Sequence, residues 1–151
     1  MFSALVLAAT ANIAAQFFHD FGGNWTCGNG RYHSQWSITS PDGNYWTIVR
    51  YGADAQHPDG TAYVGWLPQS SVYVYNDYHN DGGLAQLTAP APGDGVWHWK
   101  GDYFAAGAKT VDNGPDITWT RKGDAIVRTF AKRQNGKLTP TGNDTCTKLT
   151  P

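Results

Sequence analysis

Two tryptophans separated by a single residue are the clearest candidates for ligand contact in this sequence. Trp97 and Trp99 lie in an aromatic run over residues 96–104. Because side chains alternate between the two faces of a β-strand, both indoles point to the same side and His98 and Lys100 to the other. A pair of indoles on one face can clamp a flat apolar molecule or a sugar ring, or it can fill a hydrophobic core.

Further candidates for the wall of a binding site lie on three other predicted strands. Trp46 and Arg50 share a face with an aliphatic residue between them, so the cation either reaches the rim or meets an acidic ligand group. The tyrosines near residue 75 face solvent, or their hydroxyls line a wet cavity. The predicted ligand-binding residues are Trp36, Trp46, Arg50, Tyr75, Trp97 and Trp99.

No metal site and no cofactor are predicted. Asp77, His79 and Asp81 alternate just before a pair of glycines, which resembles the start of a calcium loop. The twelfth position counted from Asp77 is Thr88 rather than glutamate, so the EF-hand pattern fails and a polar hairpin turn is the better interpretation. The chain also lacks the spaced Cys and His ligands that are typical of zinc sites.

Groups for acid–base catalysis are few. The sequence has no glutamate, so aspartate supplies all 12 acidic residues. We expect neither Asp77 with His79 nor Asp102 with His98 to form a catalytic dyad. There is no Gly-x-Ser-x-Gly elbow and no phosphate-binding loop. No catalytic residue is therefore predicted.

Composition indicates one small domain without affinity for nucleic acid. The chain has 151 residues, 11 Lys and Arg against 12 Asp, and a formal net charge of −1. No basic cluster that would attract a polyanion is present. Seven tryptophans are more than a core of this size needs, which suggests that some of them face a cavity or a binding surface.

The first 15 residues are apolar and uncharged, with small residues near Ala15 that suit signal peptidase. We interpret residues 1–15 as a secretory signal peptide or, alternatively, as a short apolar N-terminal helix packed on the domain. Residues 16–151 form the predicted domain. No segment is long enough to span a bilayer, so we expect a periplasmic or extracellular protein.

After residue 20 the hydrophobic pattern has a period of two, interrupted every 8–12 residues by turn signals. This predicts nine or ten short strands and no helix beyond the apolar start. Such regular short connections favour an up-and-down antiparallel β-barrel of 8–10 strands, with a β-sandwich as the alternative. Cys27 and Cys146 lie near the two ends, and a disulfide between them would join the first strand to the last.

The run Gly23-Asn24-Trp25 on the first strand resembles the Gly-x-Trp motif of the lipocalin and calycin superfamily. In those barrels the tryptophan closes one end and packs against a basic side chain of the last strands, for which Arg121, Arg128 and Arg133 are candidates here. The Gly-rich continuation of the haem-binding nitrobindins is missing after Trp25. The resemblance implies a barrel that binds a small, largely apolar molecule.

Three hypotheses about function follow. The first is a secreted protein that binds a small hydrophobic or amphipathic ligand in the barrel without chemistry. The second is a small barrel enzyme, an isomerase, cyclase or hydrolase, that uses Asp, Tyr or His for proton transfer. The third is a carbohydrate-binding module, which would present a row of coplanar exposed aromatic rings on a packed sandwich.

Overall fold

The chain folds into a single closed sheet. The computed structural model describes residues 13–41, 45–55 and 57–150. Ten strands follow one another, each antiparallel to its neighbours. They are β1 (Gly23–Gly28), β2 (His33–Thr39), β3 (Trp46–Tyr51), β4 (Gly60–Leu67), β5 (Val72–His79), β6 (Leu84–Ala89), β7 (Val96–Phe104), β8 (Pro115–Lys122), β9 (Ala125–Gln134) and β10 (Lys137–Lys148).

The barrel closes between the first strand and the last. β1 pairs with β2 on one side and with β10 on the other. Cys27 lies directly opposite Cys146 in this last pairing, and the two residues form a disulfide. Both the predicted up-and-down barrel and the predicted cystine at its seam are therefore confirmed, and the sandwich alternative does not apply.

Alternating side chains divide each strand into an inner and an outer face. In β3 the inward Thr47 and Val49 are buried, whereas Trp46 and Arg50 are exposed on the outside. The same alternation in β7 buries Trp97 and Trp99 and exposes His98, as predicted. The apolar residues of the inner face form one continuous core through the barrel.

Short turns connect the strands, as the sequence predicts. Asn135 and Gly136 both have positive φ angles, 50° and 76°, at the connection between β9 and β10. This combination fits a type I′ hairpin turn, whose twist matches that of the flanking strands. The sequence Ser40-Pro41-Asp42-Gly43-Asn44 also predicts a turn, but residues 42–44 lie outside the described part of the chain.

A helix, α1, covers the described residues 13–21, although we predicted no helix beyond residue 15. Its Phe17 and Phe21 lie one helical turn apart, are fully buried and pack against Trp97 and Trp119. An isolated helix of this length is marginal in water, so tertiary packing must stabilise it. The aromatic contacts inside the barrel provide that stabilisation.

Hydrogen bonds also fix α1 in place. The indole Nε1 of Trp97 donates to the carboxylate of Asp20 at 2.8 Å, and Nε1 of Trp25 donates to the carbonyl oxygen of Phe21 at 2.9 Å. The helix thus closes one end of the barrel through contacts with both β1 and β7.

The tryptophan of the Gly-x-Trp motif lies beneath a basic side chain. The guanidinium carbon of Arg121 is 4.6 Å from the centroid of the Trp25 ring. Of the three candidate arginines, Arg121 therefore occupies this position. Arg128 lies inside the barrel instead, and Arg133 pairs with Asp116 at 3.0 Å.

The last strand ends where the sequence predicts. The hydrophobic pattern indicates a last run that ends near residues 146–149, and β10 extends from Lys137 to Lys148. A register shift between Pro140 and Gly142 allows the strand to continue past a proline, which cannot donate a ladder hydrogen bond.

The predicted division into a leader over 1–15 and a domain over 16–151 stays a prediction, because residues 1–12 lie outside the described ranges. Among the residues that the structure describes, no helix has the length and apolar character needed to cross a membrane.

Candidate functional site

The barrel encloses a cavity of about 710 Å³ on the side of the core opposite α1. This volume lies within the range of sites for small molecules. Inward side chains of most strands and residues of three loops line it. Its aromatic and histidine lining residues are Tyr32, Trp36, Tyr51, His57, Tyr75, His79, Trp99, Tyr103, Trp119 and Phe130.

Two indoles form the floor of the cavity. Trp99 and Trp119 both line it, and both also contact Phe17 of α1, with ring centroids 5.8 and 5.7 Å apart. The helix therefore supports the floor from below. Tyr75 lies against both indoles, at centroid distances of 5.5 and 6.0 Å, and continues the aromatic surface up the wall.

A buried ion pair lies in the same wall. Nε of Arg128 donates to Asp144 at 2.7 Å, and a second guanidinium nitrogen donates to the other carboxylate oxygen. Both residues are buried, and the guanidinium carbon lies 4.1 Å from the centroid of Trp36. Because the bidentate contact satisfies both carboxylate oxygens, the pair adds a polar surface with little net charge.

A second polar group is built around Asp77 on β5. The hydroxyl of Tyr51 donates to one carboxylate oxygen at 2.6 Å, and Nε2 of His79 lies 3.4 Å from the other. All three residues line the cavity. Asp77 and His79 are two residues apart in one strand, so both point inward.

Asp77 and His79 are therefore in contact, whereas the expectation that they form no catalytic dyad stays a prediction. The i,i+2 spacing within a strand was the signal that could have identified this contact. Tyr51 comes from β3, two strands away, and no local pattern links it to Asp77.

A glycine makes the contact between β3 and β5 possible. Gly60 of β4 lies between Tyr51 and His79 in the strand pairing. A Cβ atom at this position would lie 2.3 Å from the hydroxyl oxygen of Tyr51. The missing side chain lets the tyrosine ring cross β4 and reach Asp77.

The surroundings shift the proton affinities of these groups. The Asp77 contact raises the pKa of His79 above its ordinary value, although burial opposes this shift. Burial, with a further contribution from Asp77, raises the pKa of Tyr51 well above its usual range. Burial also raises the pKa of Tyr75 and Tyr103. The phenols of the cavity are therefore neutral near pH 7.

Two ring nitrogens at the cavity have no hydrogen-bond partner among the described residues, Nε1 of Trp99 and Nδ1 of His79. Trp99 is only 1% exposed. An unsatisfied buried donor costs roughly 1–3 kcal/mol, and a polar atom of a bound molecule could recover part of that.

The structure brings together three of the six predicted ligand-binding residues. Trp36, Tyr75 and Trp99 line the cavity. Trp97 is fully buried below the floor, where it contacts Phe17 and Tyr73.

The other two predicted residues lie outside the barrel. The Trp46 ring lies on the outer surface and covers Gly65. Arg50 lines a separate depression of about 410 Å³ that also includes Gln35 and Ser37.

Within the described residues, no cluster of His, Cys or Asp side chains is arranged to hold a metal ion.

Comparison with other proteins adds no family assignment. Neither a protein-family model nor a curated protein matches the chain.

Proposed function

We propose that this protein is a secreted binding protein that holds a small amphipathic molecule in its barrel cavity. The observation that supports this most directly is the cavity of about 710 Å³. Its floor consists of indoles, and the wall above them, here called the upper wall, holds the polar groups around Asp77 and Arg128. Apolar burial contributes about 25 cal/mol per Å² of ligand surface, and a few polar groups fix the orientation. A ligand with an apolar body and one polar end matches this division.

Two further features support the proposal. The stacking of Arg121 on Trp25 is the arrangement that the resemblance to lipocalins and calycins implies, and it supports the proposal of a relationship to that superfamily. The disulfide between Cys27 and Cys146, together with the apolar start of the sequence, favours an oxidising compartment outside the cytoplasm.

Filling the cavity tests this function. Ala85 lines the cavity, whereas the neighbouring Gln86 is exposed on the outer face of β6. We expect Ala85→Trp to weaken binding of the neutral dye N-phenyl-1-naphthylamine at least about tenfold, because the new indole occupies the ligand's volume. Fluorescence titration measures the affinity.

Gln86→Trp is the matched control and should bind the dye like the unmodified protein. If neither the unmodified protein nor this control binds the dye, the proposed function is wrong. Equal loss in both variants would place the binding site outside the barrel.

One observation favours a second candidate function, proton-transfer catalysis in the same cavity. Nε2 of His79 faces Asp77, while Nδ1 has no partner in the described chain. A carboxylate that holds one nitrogen leaves the other free to accept a proton. This hypothesis predicts that small aromatic esters or ketones are converted by the unmodified protein and not by His79→Gln. Binding without chemistry predicts no conversion by either.

The outer surface gives less support to carbohydrate binding. Tyr63 and Tyr78 are exposed on neighbouring strands, but their rings meet at 71° with centroids 6.2 Å apart. Rings in this edge-to-face arrangement do not form the flat platform on which a sugar stacks.

A further inference from the structure

Carboxylates outnumber fixed cations around the cavity. Among the described residues, the charged side chains that line it are the acidic Asp54, Asp77, Asp81 and Asp144 and a single arginine, Arg128. Asp54 contacts Nδ1 of His57 at 3.0 Å. The buried pair with Asp144 occupies that arginine. A polar end group of the ligand therefore meets a negative potential at the upper wall.

Asp77 is the carboxylate best placed to contact a ligand. Its side chain is 13% exposed and lines the cavity. Tyr51 donates to one of its oxygens, and Tyr75 precedes it by two residues on the same face of β5. The faces of neutral aromatic rings attract cations, and a nearby carboxylate strengthens that attraction.

The same stretch of wall continues on the other side of His79. The ring of Tyr103 lies 5.6 Å from that of His79, between centroids. Asp81 lies in the turn that follows β5 and also lines the cavity. Carboxylates and phenol rings thus lie side by side in this part of the wall.

An independent observation concerns the floor of the cavity, where one hydrogen-bond donor has no acceptor. Nε1 of Trp99 is buried in the floor with no acceptor among the described residues. A ligand that extends from Asp77 to the floor would bring its apolar body to the face of this indole.

We propose that the ligand of this cavity is an organic cation, an aromatic or apolar body with an amine or ammonium group, whose charge lies beside Asp77 and Asp81 and near the rings of Tyr51 and Tyr103. This inference rests on the proposed binding function and names the class of ligand. The apolar body then lies on Trp99.

The same geometry makes binding depend on pH. The groups that face Asp77 and His79 are Tyr51, Tyr75, Tyr103 and Asp81, with Asp54 and His57 on the adjacent loop. Contact with Asp77 raises the pKa of His79, so below that pKa the imidazolium neutralises Asp77 and repels a second cation. Affinity for the cation is therefore low in acid and rises as the pH increases through the pKa of His79.

Three probes of the same shape and different charge test the ligand class. They are 2-(1-naphthyl)ethylamine, 2-(1-naphthyl)ethanol and 1-naphthylacetate, which are cationic, neutral and anionic at neutral pH. Calorimetric titration at pH 8 should show the amine bound about tenfold more tightly than the alcohol, and the acetate most weakly. The preference for the amine should fall several-fold near pH 5.5.

Three variants test whether this cluster causes the preference. Asp77→Asn keeps an acceptor for Tyr51 and should reduce the amine's advantage over the alcohol to less than about twofold. Asp102→Asn is the matched control, since Asp102 belongs to β7, accepts a hydrogen bond from Asn113 and does not line the cavity. His79→Gln should flatten the pH dependence.

The outcomes separate this inference from the binding function. If the alcohol binds as tightly as the amine, or the acetate binds best, the cation is the wrong ligand class while the binding function stands. A preference for the amine that survives Asp77→Asn also overturns the inference. If none of the three probes nor the neutral dye binds, both proposals fail.

Discussion

At the scale of single residues, the buried pair of Arg128 and Asp144 is the most consequential contact in the barrel wall. Asp144 is 4% exposed and Arg128 is 7% exposed. Charges held so far from water are stable only while each neutralises the other. Loss of one partner leaves an uncompensated charge, which typically costs about 3–5 kcal/mol.

We therefore expect Asp144→Asn to lower the free energy of unfolding by about 3 kcal/mol. Urea denaturation followed by tryptophan fluorescence measures the change. Asp124→Asn is the control, because Asp124 is 89% exposed and lies 3.7 Å from Arg121, so its removal should have little effect. Equal stability of both variants would show that the Arg128 charge is solvated in the folded state.

Part of the site could be predicted from residue types, and part could not. The pairs at i and i+2 in a strand follow from alternation, which correctly placed Trp97 and Trp99 on one face. Alternation does not say which face points inward, and for this reason Trp46 and Arg50 were assigned to the wall although they lie outside. The contact of Tyr51 with Asp77 crosses an intervening strand, so it depends on barrel curvature and on the missing side chain of Gly60.

At the scale of secondary-structure elements, the helix α1 determines how the barrel is closed below the cavity. Phe17 contacts Trp97, Trp99 and Trp119. Phe18, the next residue, points outward and is 36% exposed. The two phenylalanines therefore form a natural comparison of buried and exposed positions within one helix.

We expect Phe17→Ala to reduce the free energy of unfolding by about 3–5 kcal/mol, since it removes a ring from a packed aromatic cluster. Phe18→Ala should have a much smaller effect. Thermal unfolding followed by circular dichroism compares the two. A similar loss in both variants would mean that the helix contributes through its backbone contacts rather than through the Phe17 ring.

The strands were far easier to predict than the helix. A period of two with turn signals at short intervals placed most strands within a few residues of the observed bounds. The nine described residues of the helix bury Ala14, Phe17 and Phe21, which is too short a run to stand out as a helical period, and the helix depends on contacts with β7 and β8. Contacts of that range cannot be derived from local sequence.

At the scale of the whole molecule, the disulfide is a covalent addition to a seam that also has strand pairing. Cys27 and Cys146 are separated by 119 residues, and both are buried. In the chain-entropy model, a cross-link that closes so long a loop stabilises the folded state by at most about 5 kcal/mol. The pairing of β1 with β10 extends over four residue pairs from Trp25 to Gly28 and is independent of the sulfur atoms.

The double variant Cys27→Ala/Cys146→Ala should accordingly lose about 3–5 kcal/mol of unfolding free energy while it keeps the barrel fold. Guanidinium denaturation measures the loss, and far-ultraviolet circular dichroism reports the fold. The unmodified protein in excess reductant should behave in the same way. A variant with unchanged stability would show that the unfolded chain is already compact near its two ends.

The order of the strands has a consequence for synthesis on the ribosome. β1 has β2 on one side, but its other neighbour is β10, the last of the ten strands in chain order. Until β10 has emerged, β1 keeps an open edge and the nascent barrel remains an unfinished sheet. A chain of this topology can therefore close its barrel only after all ten strands have been made, and until then it depends on whatever shields its exposed strand edges from other chains.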